Sequence, residues 1–352
     1  LTAIDNLIEP GRLIEHFLDH PPQGFSVGTL ARGIPVFSTP FDLLTTMEPA
    51  DRRRLETLPF SRAWRCWLRP HTCFVGATCT EYAPLPAIDP NQFLRELLQH
   101  ALPEHGFVIV KDIPAEGVLV GAAAFARSRE LMHACGDHGF ILVEGQSLAY
   151  VPLDFADTEE FLARMSKARR KDLKRKLKSR AELEVAAIPT GDACFFDEAT
   201  LRHYYALYLE VFAQSEIHFD LLTPEFFRAV LQDAALNGVV FAYHAEGELI
   251  GYNLCFVHNG MLLDKYVGFR YPQARRHNLY MVSWFHNLQY ALEHGLTHYV
   301  AGWTDPEVKR QLGASFTQTR HAVHIRNPLV RNMLKPFKRF FESDAQWTQQ
   351  TR

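Results

Sequence analysis

The Asn-Gly pair at 259–260 constrains what this chain can fold into more than any other feature. It stands between two β-rich runs, Leu249 to His258 and Met261 to Gly268. Asn-Gly in that setting is the strongest local hairpin signal, because both central residues of the tight turn need positive φ. A second turn signal, Glu246-Gly247, precedes the first run, and before it Val239 to His244 is short and apolar. A three-strand meander is predicted. The period then changes. From Asn278 to Glu293 the apolar residues Leu279, Met281, Val282, Trp284, Phe285, Leu288 and Leu292 recur at helical spacing. Gly295 supplies the stop, and Leu296 to Val300 returns to strand. Meander, helix and further strand make one mixed α/β unit, and its loops are the expected place for chemistry.

The rest of the chain is read outward from that unit. A helix is expected within Leu7 to Phe17, brief strands at Phe25 to Leu30 and Ile34 to Phe37, and a helix at Asp51 to Leu58. Trp64 to Glu81 should make two strands around Pro70-His71. Asn91 to Leu102 is helical, Gly106-Phe-Val-Ile-Val a buried strand cut by Pro114, and Val118 to His133 helical. Phe140 to Val143 and Ser147 to Leu153 read as two separate strands. Residues 159–180 read as one long amphipathic helix, with Leu162, Met165, Leu173 and Leu177 as a narrow stripe and Lys or Arg nearly everywhere else in its second half. A strand from Leu183 to Ile188, a helix from Asp197 to Val211 and a Thr223-Pro224-Glu225 helix start lead into the meander. The two halves share an element order. That suggests a tandem duplication: residues 1–158 as an N-terminal domain with an extension, 159–182 as a basic connecting helix, and 183–352 as the C-terminal domain carrying the site. The length, 352 residues, suits two domains.

Bulk properties remove several function classes. A net charge of -3 argues against a surface built wholly for nucleic acid, and leaves room for a local basic patch. Six cysteines (66, 73, 79, 135, 194, 255) never form a C-x-x-C pair, so no metal site is expected. No leader-like run precedes residue 20, and no apolar run approaches the ~20 residues that span a bilayer, so a cytoplasmic location is expected. H-E-x-x-H and G-x-S-x-G are absent, as are the glycine-rich phosphate loops G-x-G-x-x-G and G-x-x-x-x-G-K.

Several candidate sites remain, each with a structural alternative. The loop from Gly268 to Asn278 carries Arg270, Arg275 and Arg276 at the head of a helix, an arrangement that suits an anion or a solvated charged loop. On the strand before it, alternation puts Asp264 and Tyr266 on one face and Lys265 on the other. An acid among Leu262, Leu263 and Val267 implies either function or a structural partner such as Lys265 or an arginine. After the last strand, Ala301-Gly-Trp303-Thr-Asp305-Pro-Glu307-Val-Lys309-Arg-Gln-Leu-Gly313 places Asp305 and Lys309 at a strand's carboxyl end, where ligands bind. Among 17 histidines, His218 beside Glu216 and His258 at a strand end are the better base candidates. The basic stretch 164–180 suits an RNA backbone, a cofactor phosphate, anionic lipid or a solvated face.

Three of these segments carry a family resemblance: Ser-Lys-Ala-Arg-Arg-Lys-Asp-Leu-Lys-Arg-Lys-Leu-Lys from Ser166, the meander's end from Asp264 to Phe285, and Tyr299 to Gly313. Over about half the chain the sequence resembles the GNAT superfamily, in particular its tandem FemAB-like and BioF2-like acyltransferases. The resemblance implies an α/β fold of tandem GNAT-like domains, each a mixed, mainly antiparallel sheet flanked by helices. In acyl-CoA members pantetheine lies where the fourth and fifth strands splay apart, here Leu262 to Gly268 and His298 to Gly302. Lys265, Val267 and Gly268 would line it, with Gln273, Arg275, Arg276, His277 and Asn278 at the phosphates. The glycines of that family's phosphate signature are missing from this loop. FemAB-like members instead use aminoacyl-tRNA, and Lys309 matches their donor-contacting lysine. The first expectation is N-acyl transfer from acyl-CoA, as a co-substrate and not a resident cofactor, to an amine of a small molecule or peptide. The alternatives are an aminoacyl-tRNA-dependent aminoacyltransferase, with tRNA along 164–180, and a non-catalytic protein that binds RNA or a partner. In either transfer Asp264, His258 and Asp305 are the candidates for base or amine-positioning group. Backbone N–H groups from Tyr266 to Gly268, or Lys309, would hold the oxyanion.

Overall fold

A computed structural model describes residues 4–5, 8–30, 33–42, 57, 69–215 and 218–334. The helix expected at Asp51 to Leu58 lies almost wholly outside them, as do the start of the segment from Trp64, Cys66 and Glu216. The chain divides into two compact units that do not follow chain order: Leu1–Ile8, Gly24–Ser147 and Thr317–Arg352 form one, Glu9–Gln23 and Leu148–Phe316 the other. Each is mixed α/β, with strands flanked by helices.

The first unit holds β1 (Ile4–Asp5), β2 (Ser26–Thr29), β3 (Pro35–Pro40), β4 (His71–Val75), β5 (Leu85–Pro86), β6 (Phe107–Pro114), the beginning of β7 (Ile141–Pro152) and most of β13 (Ser315–Ile325). Its sheet runs β2-β3-β4-β6-β13-β7, and β1 pairs with β5 apart from it. β4 and β6 are parallel, from Thr72↔Phe107 to Val75↔Val110. Between them in sequence lies α2 (Pro90–Ala101), whose N-cap Asp89 accepts from the Gln92 amide at 2.9 Å. α3 (Gly121–Asp137) follows β6. Phe93, Leu94, Leu97, Val108, Val110, Leu131 and Ala322 share the core of this unit.

In the second unit the order is β7-β12-β11-β10-β9-β8, formed by the end of β7 with β8 (Glu184–Pro189), β9 (Gly238–Ala245), β10 (Glu248–His258), β11 (Met261–Phe269) and β12 (His298–Gly302). The helices are α1 (Arg12–Asp19), α4 (Thr158–Ala163), α5 (Lys167–Lys176), α6 (Glu198–Gln214), α7 (Pro224–Gln232), α8 (Gln273–Arg276), α9 (Leu279–Glu293) and α10 (Pro306–Gln311); α11 (Pro328–Leu334) belongs to the first unit. The meander forms as the sequence predicts. Glu246 and Gly247 have φ of 53° and 81°, Asn259 and Gly260 of 49° and 71°, so both turns use the left-handed pairs their residues suggest. α6 and α7 cover one face, where Tyr204 lies 4.9 Å from Tyr252 between ring centroids. α9 covers the other, with Trp284 edge-on to Tyr299 at 5.0 Å.

The two units share a topological device. β6 in the first is flanked by β13, a strand from the end of the chain, paired from Thr319↔Pro114 to Ile325↔Phe107. β12 in the second is flanked by the end of β7, a strand from the first half, paired from Tyr299↔Val151 to Gly302↔Ala149. Each half of the sequence thus contributes its last described strand to the unit built mainly by the other half.

Two expectations are corrected. The basic stretch is not one helix: Asp157 caps α4 and Ser166 caps α5, each accepting from the amide three residues on, and two caps make two helix starts. Nor are there two strands between 140 and 153. β7 runs unbroken, because Gly145 is a close-approach glycine and not a turn: a Cβ there would stand 2.3 Å from Thr319 Oγ1.

Candidate active site

β11 and β12 run parallel only from Met261↔His298 to Leu263↔Val300. Beyond that point β11 continues to Phe269 without β12 beside it, and the two strands splay. Residues 264–267, just past the parting, are half-buried where Met261, Leu262 and Leu263 are buried. Gly302, the last residue of β12, has φ of 80°. Built onto its backbone, a Cβ would stand 3.9 Å from both the Asp264 carbonyl oxygen and Lys309 Nζ. Lys309 reaches this spot from α10 and is only 4% exposed. A buried lysine beside the parting of two strands is the central feature of the candidate site.

Asp264 lies on the α9 side of β11. Asn253 Nδ2 donates to both its carboxylate oxygens, at 3.0 and 2.9 Å. Asn287 Nδ2 donates to Oδ2 at 3.0 Å, and Tyr299 OH to the same oxygen at 2.9 Å. Cys255 Sγ lies 3.7 Å from Oδ1. Burial pushes the Asp264 pKa above the usual carboxylate value, against the pull of these donors and of the Lys309 charge. The carboxylate therefore ties β10, α9 and β12 together at the parting. Sequence reasoning passed over Asn253, Asn287 and Tyr299. The signal for the first two was there: an asparagine inside an apolar strand, and another on the apolar face of a helix, each need a buried partner.

Tyr266 is not on the same face as Asp264. The ladder pairs Leu254 with Tyr266 but Cys255 with Asp264, so Lys265 is the extra residue of a β-bulge and the alternation slips by one. Tyr266 packs on α7, 5.9 Å from Phe226 and 5.7 Å from Phe227 between centroids. Lys265 Nζ lies 3.6 Å from Glu9 Oε1, with side chains 6% and 0% exposed. Val267 packs against the core on the α9 side. A Cβ on Gly268 would meet Tyr252 Cε1 at 2.3 Å, so this glycine serves close packing under α6. Asp305 is exposed at the start of α10 with φ of 52°. Burial raises the pKa of Tyr280, and the charges of Asp305 and Asp264 add to the rise, which places both acids within electrostatic reach of one phenol. His258 sits at the hairpin end of β10, opposite Met261, where β11 and β12 are still paired. His218 stacks edge-on against Phe212 at 4.9 Å.

The loop after β11 is closed upon itself. Its amides at 274, 275, 276, 277 and 278 donate to the carbonyls of Arg270, Pro272, Pro272, Gln273 and Arg275. Arg270 Nη2 lies 2.8 Å from His203 Nε2, and Arg275 Nη2 donates to Gln214 Oε1 at 2.8 Å while its guanidinium covers the Tyr271 ring. The Tyr271 amide donates to Glu210 Oε2 at 2.9 Å. α6 thus holds three points of the loop. His277 is buried with Nδ1 3.0 Å from Glu182 Oε2, and its carbonyl accepts from Ser179 Oγ at 2.6 Å. Asn278 has φ of 50° and its carbonyl accepts the Met281 and Val282 amides. Gln273 is half-buried, and Arg276 is exposed. An anion at the amides of 274–278 would have to displace bonds already made.

The basic stretch is exposed along most of its length. Lys174 pairs with Glu159, and Asp172 holds Arg175 at 2.7 Å and Lys176 at 2.8 Å. Among the described residues no group of three or more His, Cys, Asp or Glu could hold a metal ion, and no helix is long and apolar enough to cross a membrane.

The FemAB-like family, described by peptidoglycan biosynthesis and recognition, matches residues 107–351. The chain belongs to this family. FemAB-like membership agrees with the fold of known structures. L-PGS from Bacillus licheniformis superposes with a TM-score of 0.55 at 12% identity, over 94% of this chain and 97% of that one. The C-terminal domain of a protein named as a lysylphosphatidylglycerol synthetase, from Agrobacterium fabrum, gives 0.53 at 10% identity over 92% and 96%. FemX gives 0.50 at 12% identity over 92% and 98%. At these identities the likeness is one of fold. A search of curated sequences finds no significant match. Membership in an acyltransferase-related family supports an enzyme.

Proposed function

We propose that this FemAB-like chain is an aminoacyl-tRNA-dependent aminoacyltransferase built from tandem GNAT-like domains, acting on an amine of a small molecule or peptide. One observation carries the choice of donor. The loop that would hold a coenzyme A pyrophosphate has its amides at 274–278 bonded internally, and Arg270 and Arg275 engaged by α6. The name of one similar structure, the C-terminal domain of a lysylphosphatidylglycerol synthetase, suits the same reading.

In this reading the aminoacyl ester enters the splay beyond Leu263 and Val300. Lys309 faces the oxygen that becomes negative as the amine attacks, together with backbone groups of β11 that no longer face β12. The carbon–oxygen bond to the tRNA ribose then breaks, and the proton of the amine leaves with the ribose oxygen or to water. Asp264 orients this centre through Tyr299, Asn253 and Asn287. The exposed Lys167, Lys171 and Lys178 give the tRNA backbone a surface to track. A charged-tRNA donor sets the reaction in the cytoplasm.

The test is a titration with charged tRNA, uncharged tRNA, acetyl-CoA and a long-chain acyl-CoA, with Lys309→Ala and Arg275→Ala beside the parent. Charged tRNA should bind in a salt-sensitive way, more weakly after Lys171→Glu with Lys178→Glu. Micromolar binding of a CoA thioester, lost in Arg275→Ala, would overturn the reading in favour of acyl-CoA.

A further inference from the structure

Glu9 precedes the first described helix and is remote in sequence from every residue of the site, yet it is fully buried against β11. The segment it opens, Glu9–Gln23, belongs by its contacts to the second unit. α1 lies against α7, with Leu13 and Phe17 fully buried. Arg12 Nε and His16 Nε2 both lie 2.7 Å from Asp233 Oδ2, just past the end of α7, and the Gln23 amide donates to the Leu221 carbonyl at 2.8 Å. The segment is fixed at both ends and in the middle.

Its buried carboxylate meets Lys265, the extra residue of the β11 bulge. A bulge residue is left out of the ladder, so the backbone alone does not hold it, and a slip of one residue moves every later side chain to the other face. Two consecutive residues anchor this point from opposite sides. Asp264 is held on the α9 side by Asn253, Asn287 and Tyr299, and Lys265 on the α7 side by Glu9. A buried ion pair is a costly way merely to gain stability, and is better suited to fixing a register.

We propose that Glu9 is a positioning residue of the candidate active site: by holding Lys265 it fixes the bulge, and with it the backbone of 264–267 at the edge of the splay. The role rests on the splay being the site, and makes the N-terminal segment a working part of it. The experiment uses the full chain in Glu9→Gln, Lys265→Met and the double variant, with Glu15→Gln on the exposed side of α1 as control. Hydrogen exchange read by mass spectrometry should show peptides across 261–269 exchanging about tenfold faster in Glu9→Gln, with peptides across 238–245 at the parental rate. Transfer from charged tRNA should fall about tenfold in kcat at unchanged KM. The double variant removes the uncompensated buried charge, so it should regain Tm while kcat stays low. Parental exchange across 261–269 in Glu9→Gln would overturn the proposal, and so would a kcat that recovers with Tm in the double variant. A parent chain that transfers nothing from charged tRNA would defeat the donor reading instead, and the exchange result would still judge Glu9.

Discussion

The two units contain the same local construction, used in opposite ways. In each, two parallel strands separated by a helix pair for a few residues and then part: β4 and β6 after Val75↔Val110, β11 and β12 after Leu263↔Val300. Two residues past the last pair, the second strand carries a left-handed residue, Asp112 at 56° and Gly302 at 80°. In both, that strand also bulges against its antiparallel neighbour at this point. The difference lies in what enters the gap. In the first unit residues 76–86 fold into it and are buried almost throughout. Lys111 Nζ donates to the Ala77 carbonyl at 3.1 Å and pairs with Asp112, while the Ala83 amide donates to the Asp112 carbonyl at 2.9 Å. In the second unit the gap holds Lys309, and the β11 residues facing it stay half-buried. The same parting of strands is filled by a loop in one unit and faced by a lysine from a short helix in the other.

That contrast is open to direct attack. Lys309→Met should lower transfer by about 10²- to 10³-fold, the range for losing one oxyanion donor. Lys111→Met should leave kcat within about twofold but cost roughly 3 kcal/mol of stability, since Asp112 would stay buried without its partner. Rate assays and denaturant melts on the pair would break the comparison if the roles proved reversed.

The next contrast is one of pH. Burial lowers the His286 pKa to about 4, against ~6.5 in an unfolded chain. The unfolded chain therefore binds a proton that the folded chain refuses. Stability conferred above pH ~6.5 is lost as pH falls towards 4, by roughly 3 kcal/mol. His286→Phe should flatten that loss in Tm measured from pH 7 to pH 4.

Smallest of the three is a pair of glycines. Gly302→Ala and Gly76→Ala each place a side chain at positive φ, costing about 1 kcal/mol. Only Gly302→Ala should also slow transfer, by a few-fold, because its methyl would face Lys309. Equal rates in the two variants would separate Gly302 from the chemistry.

How far the sequence foretold this differs by element. The meander was readable because Glu246-Gly247 and Asn259-Gly260 are local signals, each satisfied by its own backbone angles. The helix after it was readable from one apolar stripe. The β11 bulge was not, since it depends on Glu9, far away along the chain, and on the ladder with β10. Asp264 stood out as an acid among apolar neighbours, while Tyr266 was assigned to the wrong face through the unseen bulge. The arginine loop looked like an anion site because its residues were visible and its internal hydrogen bonds were not. Gly145 read as a break for a similar reason: the residue it makes room for, Thr319, lies in another part of the sequence.

The strand contributed by each half to the other has a consequence for synthesis. β6 waits for β13, about 200 residues later, before its second edge is covered. At the ~5–20 residues/s of a ribosome that is roughly 10–40 s during which a bare strand edge is exposed to other nascent chains. A product that stops anywhere short of residue 317 would never close that edge. Translation that falters late is therefore more dangerous to this protein than translation that fails early, and the cell has reason to hold the chain until β13 arrives.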